Sequence, residues 1–359
     1  MDIGDIIALR LRNQQVKQSE FKTSVELVKW LGAIQAQDYA AAKWAIGLRL
    51  PNTTDKIIDK AFNAGEILRT HVMRPTWHFV APEDIRWLIE LTAPRVKAQC
   101  AHMNRKMELG EEIFKRCNKI IIKALKGCKY LTRAELGGVL EKAGITVNDL
   151  RLTYITLRAE LDAVICSGPR NGKQFTYALL DERVAESATL NRDEAIAELT
   201  KRYFTSHGPA TLQDFAWWSG LTISDAKAGI EMVSAQLQKE IIDGRTYLYS
   251  NSQHQLKAKT SHTSLLPIFD EYIIAYKERS LIFDRPEFNK TSPRGNALFN
   301  NTIITDGKVI GTWKRTFTKN KVIIEPTIFI KLTKAQKNAI ADAADNYGAF
   351  IGMDVILNW

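Results

Sequence analysis

Two primary amides have an unusual setting. In "LGAIQAQDYAAAKWAIGLRL", residues 31–50, Gln35 and Gln37 lie among Ala, Ile and Gly, with Asp38 directly after. An amide has no useful pKa, so neither glutamine serves as a general acid or a strong base. Each offers a carbonyl oxygen to hold a water and a dipole to favour developing positive charge, which is positioning and preorganised electrostatics. Spacing decides whether the two act together. On an α-helix, two residues turn the side chains through roughly 200°, onto opposite faces. On extended backbone both fall on one side, with Ile34 and Ala36 on the other. "SVELVKWLGA" reads as a helix ending near Gly32 or Ala33, and Asp38 as the N-cap of "YAAAKWAIGL", which favours the extended reading. The pair then projects from a short helix-to-helix junction, with Ala36 and Ala40 to Ala42 leaving room beside it.

A second pattern, "HVMRPTWHFV", alternates as a strand would. Arg74, Thr76 and His78 fall on one face; Met73, Trp77 and Phe79 fall on the other with Pro75, and that apolar face reads as core. Pro75 argues for an edge strand. A cation, a hydroxyl and an imidazole in a row suit a grip on phosphates or on a nucleic-acid strand. Ordinary structural roles compete at each position. Gln35 and Gln37 also fit as buried amides that satisfy backbone groups, Asp38 as a cap rather than a base, and His78 as a structural histidine.

Three stretches supply a repeated frame of helix, helix, helix and hairpin. The clearest is "EEIFKRCNKIIIKALKGCKYLTRAELGGVLEKAGI", a long helix and then a second one capped by Thr132, with Glu135 completing a capping-box spacing. "VNDLRLTYITLRAELDAVICSGP" adds the third helix, and two β-like runs flank the basic turn "SGPRNGKQ". This is the winged-helix arrangement, a helix-turn-helix relative. In the next copy Thr211 precedes a helix that Gly220 ends, Thr222 or Ser224 caps another, and "IIDGRTYLY" forms a hairpin with Asp-Gly at its turn. A looser copy comes first, running from "DIIALRLRNQQ" to "HVMRPTWHFV". Towards the C-terminus, "NTIITDGKVIGTWKRTFTKNKVIIEPTIFI" reads as a meander of about three strands around "DGK" and "TKNK" turns, before the helix "TKAQKNAIADAADNYGAFIG". The expected fold is mainly α with β (α+β): tandem winged-helix segments at 1–95, 96–183 and 188–258, then a small β-rich domain at 262–359.

The 359 residues are 45% hydrophobic and 25% charged, the profile of a soluble globular protein. The start "MDIGDIIALRLRNQQ" lacks the apolar run of a signal peptide, and no stretch approaches the roughly 18 apolar residues of a membrane span. Cys100, Cys117, Cys128 and Cys166 lie far apart, as reduced thiols of a cytoplasmic protein would. The histidines show no ligand spacing and no Gly-rich phosphate loop is visible, so neither metal nor cofactor is expected. The net charge of +10 is uneven. Residues 95–175 carry 16 Lys/Arg against 8 Asp/Glu, and residues 285–337 carry 11 against 3, leaving −6 on the remainder. Two basic segments on a mildly acidic chain look like the footprint of a polyanion, and winged helices tip that towards duplex DNA.

"QAQD", "HVMRPTWHFV" and "LLPIFDEYIIAYKERS" together resemble the helix-turn-helix 42 family, the AlkZ-like DNA glycosylases. The resemblance runs over nearly the whole chain; the family's motif is Gln, a hydrophobic residue, then Gln or Asp, and Gln35-Ala36-Gln37 looks like its Gln-containing branch. Where the family carries a "MRGTLH"-like segment, this chain reads "MRPTWH", keeping Arg74, Thr76 and His78 while Pro75 and Trp77 replace smaller residues. The resemblance implies a glycosylase of base excision repair with Gln35 and Gln37 catalytic and Asp38 or His78 assisting. Two amides suit a leaving base that is already cationic, so purines alkylated at N7 or N3 are the expected substrates; bulky adducts and crosslinks follow from the family alone. Arg74, Thr76, the wing residues Arg170 and Lys173, and Lys314, Arg315, Lys319 and Lys321 are expected to contact double-stranded DNA carrying alkylated bases. A cytoplasmic monomer at the bacterial nucleoid completes the expectation. The competing reading is a non-enzymatic winged-helix DNA-binding protein or transcription regulator, in which the glutamines are only structural.

Overall fold

Capping chemistry starts the helices where the sequence placed it. Thr132 Oγ1 accepts the Glu135 N–H at 3.3 Å while the Glu135 carboxylate accepts the Thr132 N–H at 2.7 Å. Thr23 and Glu26 repeat the device, and Thr222, not Ser224, caps its helix. A computed structural model describes residues 1–186, 189–251, 261–283 and 300–359. Residues 252–258 of the third winged-helix segment and 285–299 of the second basic stretch therefore lie outside the described residues.

The first elements are α1 (Ile3–Asn13), α2 (Ser24–Leu31), β1 (Ile34–Gln35), α3 (Tyr39–Gly47), α4 (Asp55–Ala64), β2 (Leu68–His71), β3 (Trp77–Val80) and α5 (Ile85–Lys106). Next come α6 (Glu111–Leu125), β4 (Leu131–Thr132), α7 (Arg133–Lys142), α8 (Asp149–Leu161), β5 (Ile165–Ser167), β6 (Thr176–Leu179) and α9 (Leu180–Arg183). After α10 (Arg192–Ser206), α11 (Leu212–Ser219) and α12 (Ile223–Met232) come β7 (Leu237–Ile242) and β8 (Arg245–Ser250). The chain closes with β9 (Thr263–Leu266), α13 (Glu271–Ile274), β10 (Thr302–Thr305), β11 (Lys308–Phe317), β12 (Lys321–Ile328), α14 (Lys334–Ile351) and β13 (Asp354–Leu357).

The order helix, strand, helix, helix, strand, strand runs three times: α2 to β3, α6 to β6, and α10 to β8. In the second copy β4, β6 and β5 form one antiparallel sheet. In the third, a single bridge from Ala210 to Leu248 stands where the first strand would be. Packing does not follow the sequence segments. One compact unit gathers residues 1–59, 197–218 and 222–359, and the other holds 60–196 and 219–221, which cuts across both 1–95 and 188–258.

The second unit is built on Phe114, Cys117, Ile121, Leu125, Leu136, Leu140 and Ile155, from the facing sides of α6, α7 and α8. The first unit buries Ile7, Leu11, Leu266, Tyr272, Ile304 and Val309. Its sheet has five strands in the order β13-β12-β11-β10-β9: the expected three-strand meander is β10-β11-β12, and β9 and β13 extend it on either edge. "TSLL" is too short to show an alternating pattern, and β13 joins parallel to β12 only after α14, as parallel pairing requires. Asp306 and Gly307, with φ of 51° and 78°, make the tight turn between β10 and β11. Gly307 is also needed for close approach, since a Cβ there would lie 2.2 Å from Ile7.

Candidate active site

Gln35 and Gln37 sit where α2 gives way to α3. α2 ends at Gly32, whose φ of 76° suits glycine, and a Cβ there would lie 3.5 Å from the Trp218 ring. Ile34 and Gln35 are extended, as the spacing argument required. Asp38 then starts α3 by accepting the Ala41 N–H at 2.9 Å, so the expected cap is present. Gln37 and Asp38 are exposed, while Gln35 is 9% exposed. The Gln35 side chain makes no hydrogen bond to a described residue, so its amide is not consumed in satisfying the junction's backbone.

The main chain of the motif is held from 236 residues away. The Glu271 carboxylate, 1% exposed, accepts the Gln35 N–H at 2.9 Å on Oε1 and the Trp218 indole N–H at 3.0 Å on Oε2. His207 Nε2 stands 3.7 Å from the same Oε2. Burial pulls the His207 pKa below its ordinary value, Glu271 pulling the other way, and its imidazole is neutral near pH 7. One residue earlier, Asp270 receives the Arg49 guanidinium through two bonds of 2.7 and 2.8 Å, both side chains fully buried. Arg49 also reaches Ala45 O in α3 and Gln14 O after α1. The acid pair therefore ties α1, α3 and the Gln-Ala-Gln segment to α13. Sequence reasoning used "FDEYIIAY" as a family signature and missed this role. Its signal was there: two adjacent carboxylates inside an apolar run must each find partners.

Arg315, a further expected residue, faces Tyr347, its guanidinium carbon 5.6 Å from the ring centroid. Burial pushes the Tyr347 pKa up to about 12, with the Arg315 charge opposing and the Asp55 and Asp38 charges adding to the rise. Arg315 is half-buried, whereas Lys314, Lys319 and Lys321 are exposed on the β11–β12 ribbon. Lys43, in α3, is consumed by Asp55 and Asp59 at 2.7 and 2.9 Å.

"HVMRPTWHFV" is not one strand. β2 ends at His71 and β3 begins at Trp77, with Thr70 opposite His78 and His71 opposite Trp77. Between them Met73 takes a φ of 64°, and the Arg74 and Thr76 N–H groups bond back to Val72 O and Arg74 O at 2.6 and 2.7 Å. Pro75, with a fixed φ and no N–H, sits between these two tight turns. Arg74 and Thr76 therefore belong to the turn and only His78 to a strand, where its Nδ1 lies 2.9 Å from Thr76 O. The hydroxyls of Thr70 and Thr76 are buried without a hydrogen-bond partner among the described residues.

The Trp77 face is not a plain apolar core either. The His71 ring lies 4.4 Å from the Trp77 ring, and His71 Nδ1 meets the buried carboxylate of Glu160. The Arg69 guanidinium stacks 4.3 Å from Trp77 and 4.5 Å from Phe175, and Arg170 covers Phe175 at 4.2 Å. Arg170 also bonds to the carbonyls of Lys173 and Gln174 in its own wing, so the exposed cation there is Lys173.

A family model described as DNA glycosylase AlkZ-like matches residues 28–350, from α2 through the last helix. The chain belongs to the AlkZ-like DNA glycosylase family. This AlkZ-like chain is 22% identical over 331 residues to an interstrand DNA cross-link repair glycosylase of Streptomyces sahachiroi, covering 86% of each protein. The solved structure of DNA glycosylase AlkZ from Streptomyces sahachiroi matches over 100% of both chains with a TM-score of 0.82 at 19% identity, a likeness of mixed α and β fold. The AlkZ-like chain is thus a DNA glycosylase acting on DNA, and the regulator alternative falls. Among its described residues no helix is long and apolar enough to cross a membrane, and no cluster of three His, Cys, Asp or Glu could hold a metal.

Proposed function

We propose that this glycosylase hydrolyses the N-glycosidic bond of purines alkylated at N7 or N3, with Gln35 and Gln37 as its catalytic pair and no lyase step. The carrying observation is the division of labour at Gln35: its main chain is pinned by buried Glu271, while its amide is left uncommitted among the described residues. A side chain fixed at its root and unused at its tip is suited to preorganised work.

The chemistry follows from what amides lack. A purine alkylated at N7 or N3 carries positive charge, so the glycosyl bond breaks with its electron pair going to a base that leaves neutral. No proton need be delivered. The deoxyribose becomes oxocarbenium-like, the amide carbonyls favour that charge, and a water they hold adds to C1′ and releases its proton to solvent. No lysine lies in the motif to form a Schiff base. Asp38 already accepts a backbone N–H as a cap; Asp38→Asn retains an acceptor for that cap and tests whether its charge assists the water.

DNA is proposed to be held by Arg74, Thr76 and His78 of the β2–β3 turn region, by the wing with Arg170 and Lys173, and by Lys314, Arg315, Lys319 and Lys321, on a monomer whose segments 96–183 and 188–258 serve as winged-helix frames. The relative's name, an interstrand cross-link repair glycosylase, supports extending the substrates to bulky adducts and crosslinks. The deciding experiment is release of 7-methylguanine from alkylated duplex DNA by wild type, Gln35→Ala and Gln37→Ala. Each substitution is expected to slow single-turnover release by about 10²-fold or more, as loss of one preorganised dipole does elsewhere. Release that survives both substitutions removes the pair from the mechanism.

A further inference from the structure

The unit that carries Gln35 also holds an open cleft of about 860 Å³ that base release by the two glutamines leaves without a role. Its walls are the start of α11, the outer side of α12, the β7–β8 ribbon and the segment Lys277–Glu278. Four cations line it: Lys227 from α12, Lys239 and Arg245 from the ribbon, and Lys277. The acids among them are mostly spoken for. Asp214 is 1% exposed and accepts the N–H groups of Thr211, Lys277 and Glu278 at 3.0, 2.9 and 3.2 Å, which shapes the floor. Glu278 stands 3.3 Å from Arg245. Lys227, Lys239 and Lys277 are exposed and make no ion pair with a described residue, against one uncommitted acid, Glu231.

We infer that this cleft binds the sugar–phosphate backbone of DNA, with Lys227, Lys239 and Lys277 each neutralising a phosphate. A small phosphate ester would need convergent donors, and the main-chain N–H groups best placed to supply them, at Lys277 and Glu278, are taken by Asp214. Hydrated ammonium groups spread over a helix, a ribbon and a loop instead suit a polyanion, whose successive phosphates are met one at a time with release of counterions. The cleft is also joined to the catalytic motif through one short segment. Lys277 lies six positions after Glu271, which holds the Gln35 main chain, and the Trp217 indole N–H donates to Ile274 O between them at 3.0 Å. DNA gripped by Lys277 is thereby gripped by the same piece of chain that sets Gln35.

The test uses the full chain and an undamaged fluorescein-labelled duplex, so that binding is read independently of base release. The triple variant Lys227→Gln/Lys239→Gln/Lys277→Gln, all at exposed positions, is expected to keep the wild-type melting temperature and to lose about tenfold or more in affinity at moderate salt. Its plot of log affinity against log salt should flatten by up to about 2.7, or roughly 0.9 for each phosphate no longer neutralised. Glu231→Gln removes a like charge from the phosphate path and should tighten binding, which a merely structural cleft would not do. A triple variant with the wild-type affinity and slope overturns the proposal. So does a titration in which inorganic phosphate binds the wild-type cleft while the triple variant loses that binding and keeps its DNA affinity, since the cleft would then be a small-anion site.

Discussion

Each compact unit buries one glutamate beside a histidine and a tryptophan. In the first, Glu271 faces His207 and Trp218, whose rings lie 5.0 Å apart; in the second, Glu160 faces His71, whose ring lies 4.4 Å from Trp77. The difference is in what each carboxylate accepts. Glu271 gives its oxygens to a backbone N–H and an indole N–H, two donors that do not titrate, and leaves the neutral imidazole at 3.7 Å. Glu160 meets the imidazole itself, and the tryptophan beyond it is half-buried and stacked under Arg69. The same three residue types therefore make a fixed frame in one place and an ionisable pair in the other. Of the two glutamates, it is Glu271 that is bonded to the main chain of the Gln-Ala-Gln motif.

Removing each glutamate tests that contrast most severely. Glu271→Ala strands two buried donors, at about 1–3 kcal/mol each, so a loss of about 2–6 kcal/mol is expected in urea unfolding. Base release should fall about 10²-fold where the protein is still folded, because a small displacement of Gln35 is enough. Glu160→Ala strands one partner, costs about 1–3 kcal/mol and should leave release within a few-fold of wild type. Glu271→Gln keeps an acceptor for one of the two donors, and its kcat should fall more than its KM changes. Release lost as steeply in Glu160→Ala as in Glu271→Ala would break the contrast.

Trp218→Phe sharpens it. A six-membered aromatic ring is kept, but the fused pyrrole and its N–H are lost from a fully buried site, which should cost about 1–3 kcal/mol. Release should barely move, since the Gln35 N–H bond to Glu271 remains.

A smaller effect should appear on acidification. Burial holds the folded-state pKa of His207 below the unfolded value of about 6.5, so the unfolded chain takes up the proton first. Its contribution is complete above about pH 6.5 and is lost as pH falls towards the lowered folded value, by at most about 1.4 kcal/mol per pH unit for one proton. His262, also lowered by burial and then by Lys17, adds to the same slope. Urea midpoints between about pH 5 and 7.5 should therefore decline on the acid side, and His207→Gln should flatten that decline. An unchanged slope would mean that His207 takes up its proton alike in the folded and the unfolded chain, so that burial in the frame does not hold it neutral.

Local chemistry made much of this legible. Thr132 with Glu135, Asp38 before α3, Asp243-Gly244 and Asp306-Gly307 each dictate a cap or a turn within four residues, and the structure has all of them. The extended backbone at Gln35 followed from helix stop and start signals on either side. The failures have two physical origins. Alternation in "HVMRPTWHFV" mimicked a strand because a five-residue turn between two short strands keeps the same polar and apolar order, and only the φ of Met73 reveals it. The Glu271 frame depends on contacts spanning 236 and 53 residues, which no local pattern encodes. Nothing local singles out Arg69 or His71 for the same reason, since Phe175 and Glu160 reach them from far along the chain.

The gentlest substitutions ask whether the two units share the DNA although they use glutamate differently. Lys173 is the exposed cation of the wing in the second unit, and Lys319 lies at the tip of the β11–β12 ribbon in the first. Neither side chain bonds to a described residue, and the Lys173 carbonyl that accepts from Arg170 is kept, so neither substitution should alter folding. If each neutralises one phosphate, Lys173→Gln and Lys319→Gln should each lower the slope of log affinity against log salt by about 0.9, and the double variant should lower it by the sum. Because these contacts position DNA and do not read bases, the loss should be uniform across duplex sequences. A slope that responds to Lys319 and ignores Lys173 would assign the backbone grip to the unit that carries the glutamines. The Arg69–Trp77–Phe175 stack would then be structural reinforcement of the other unit, with no part in holding the substrate.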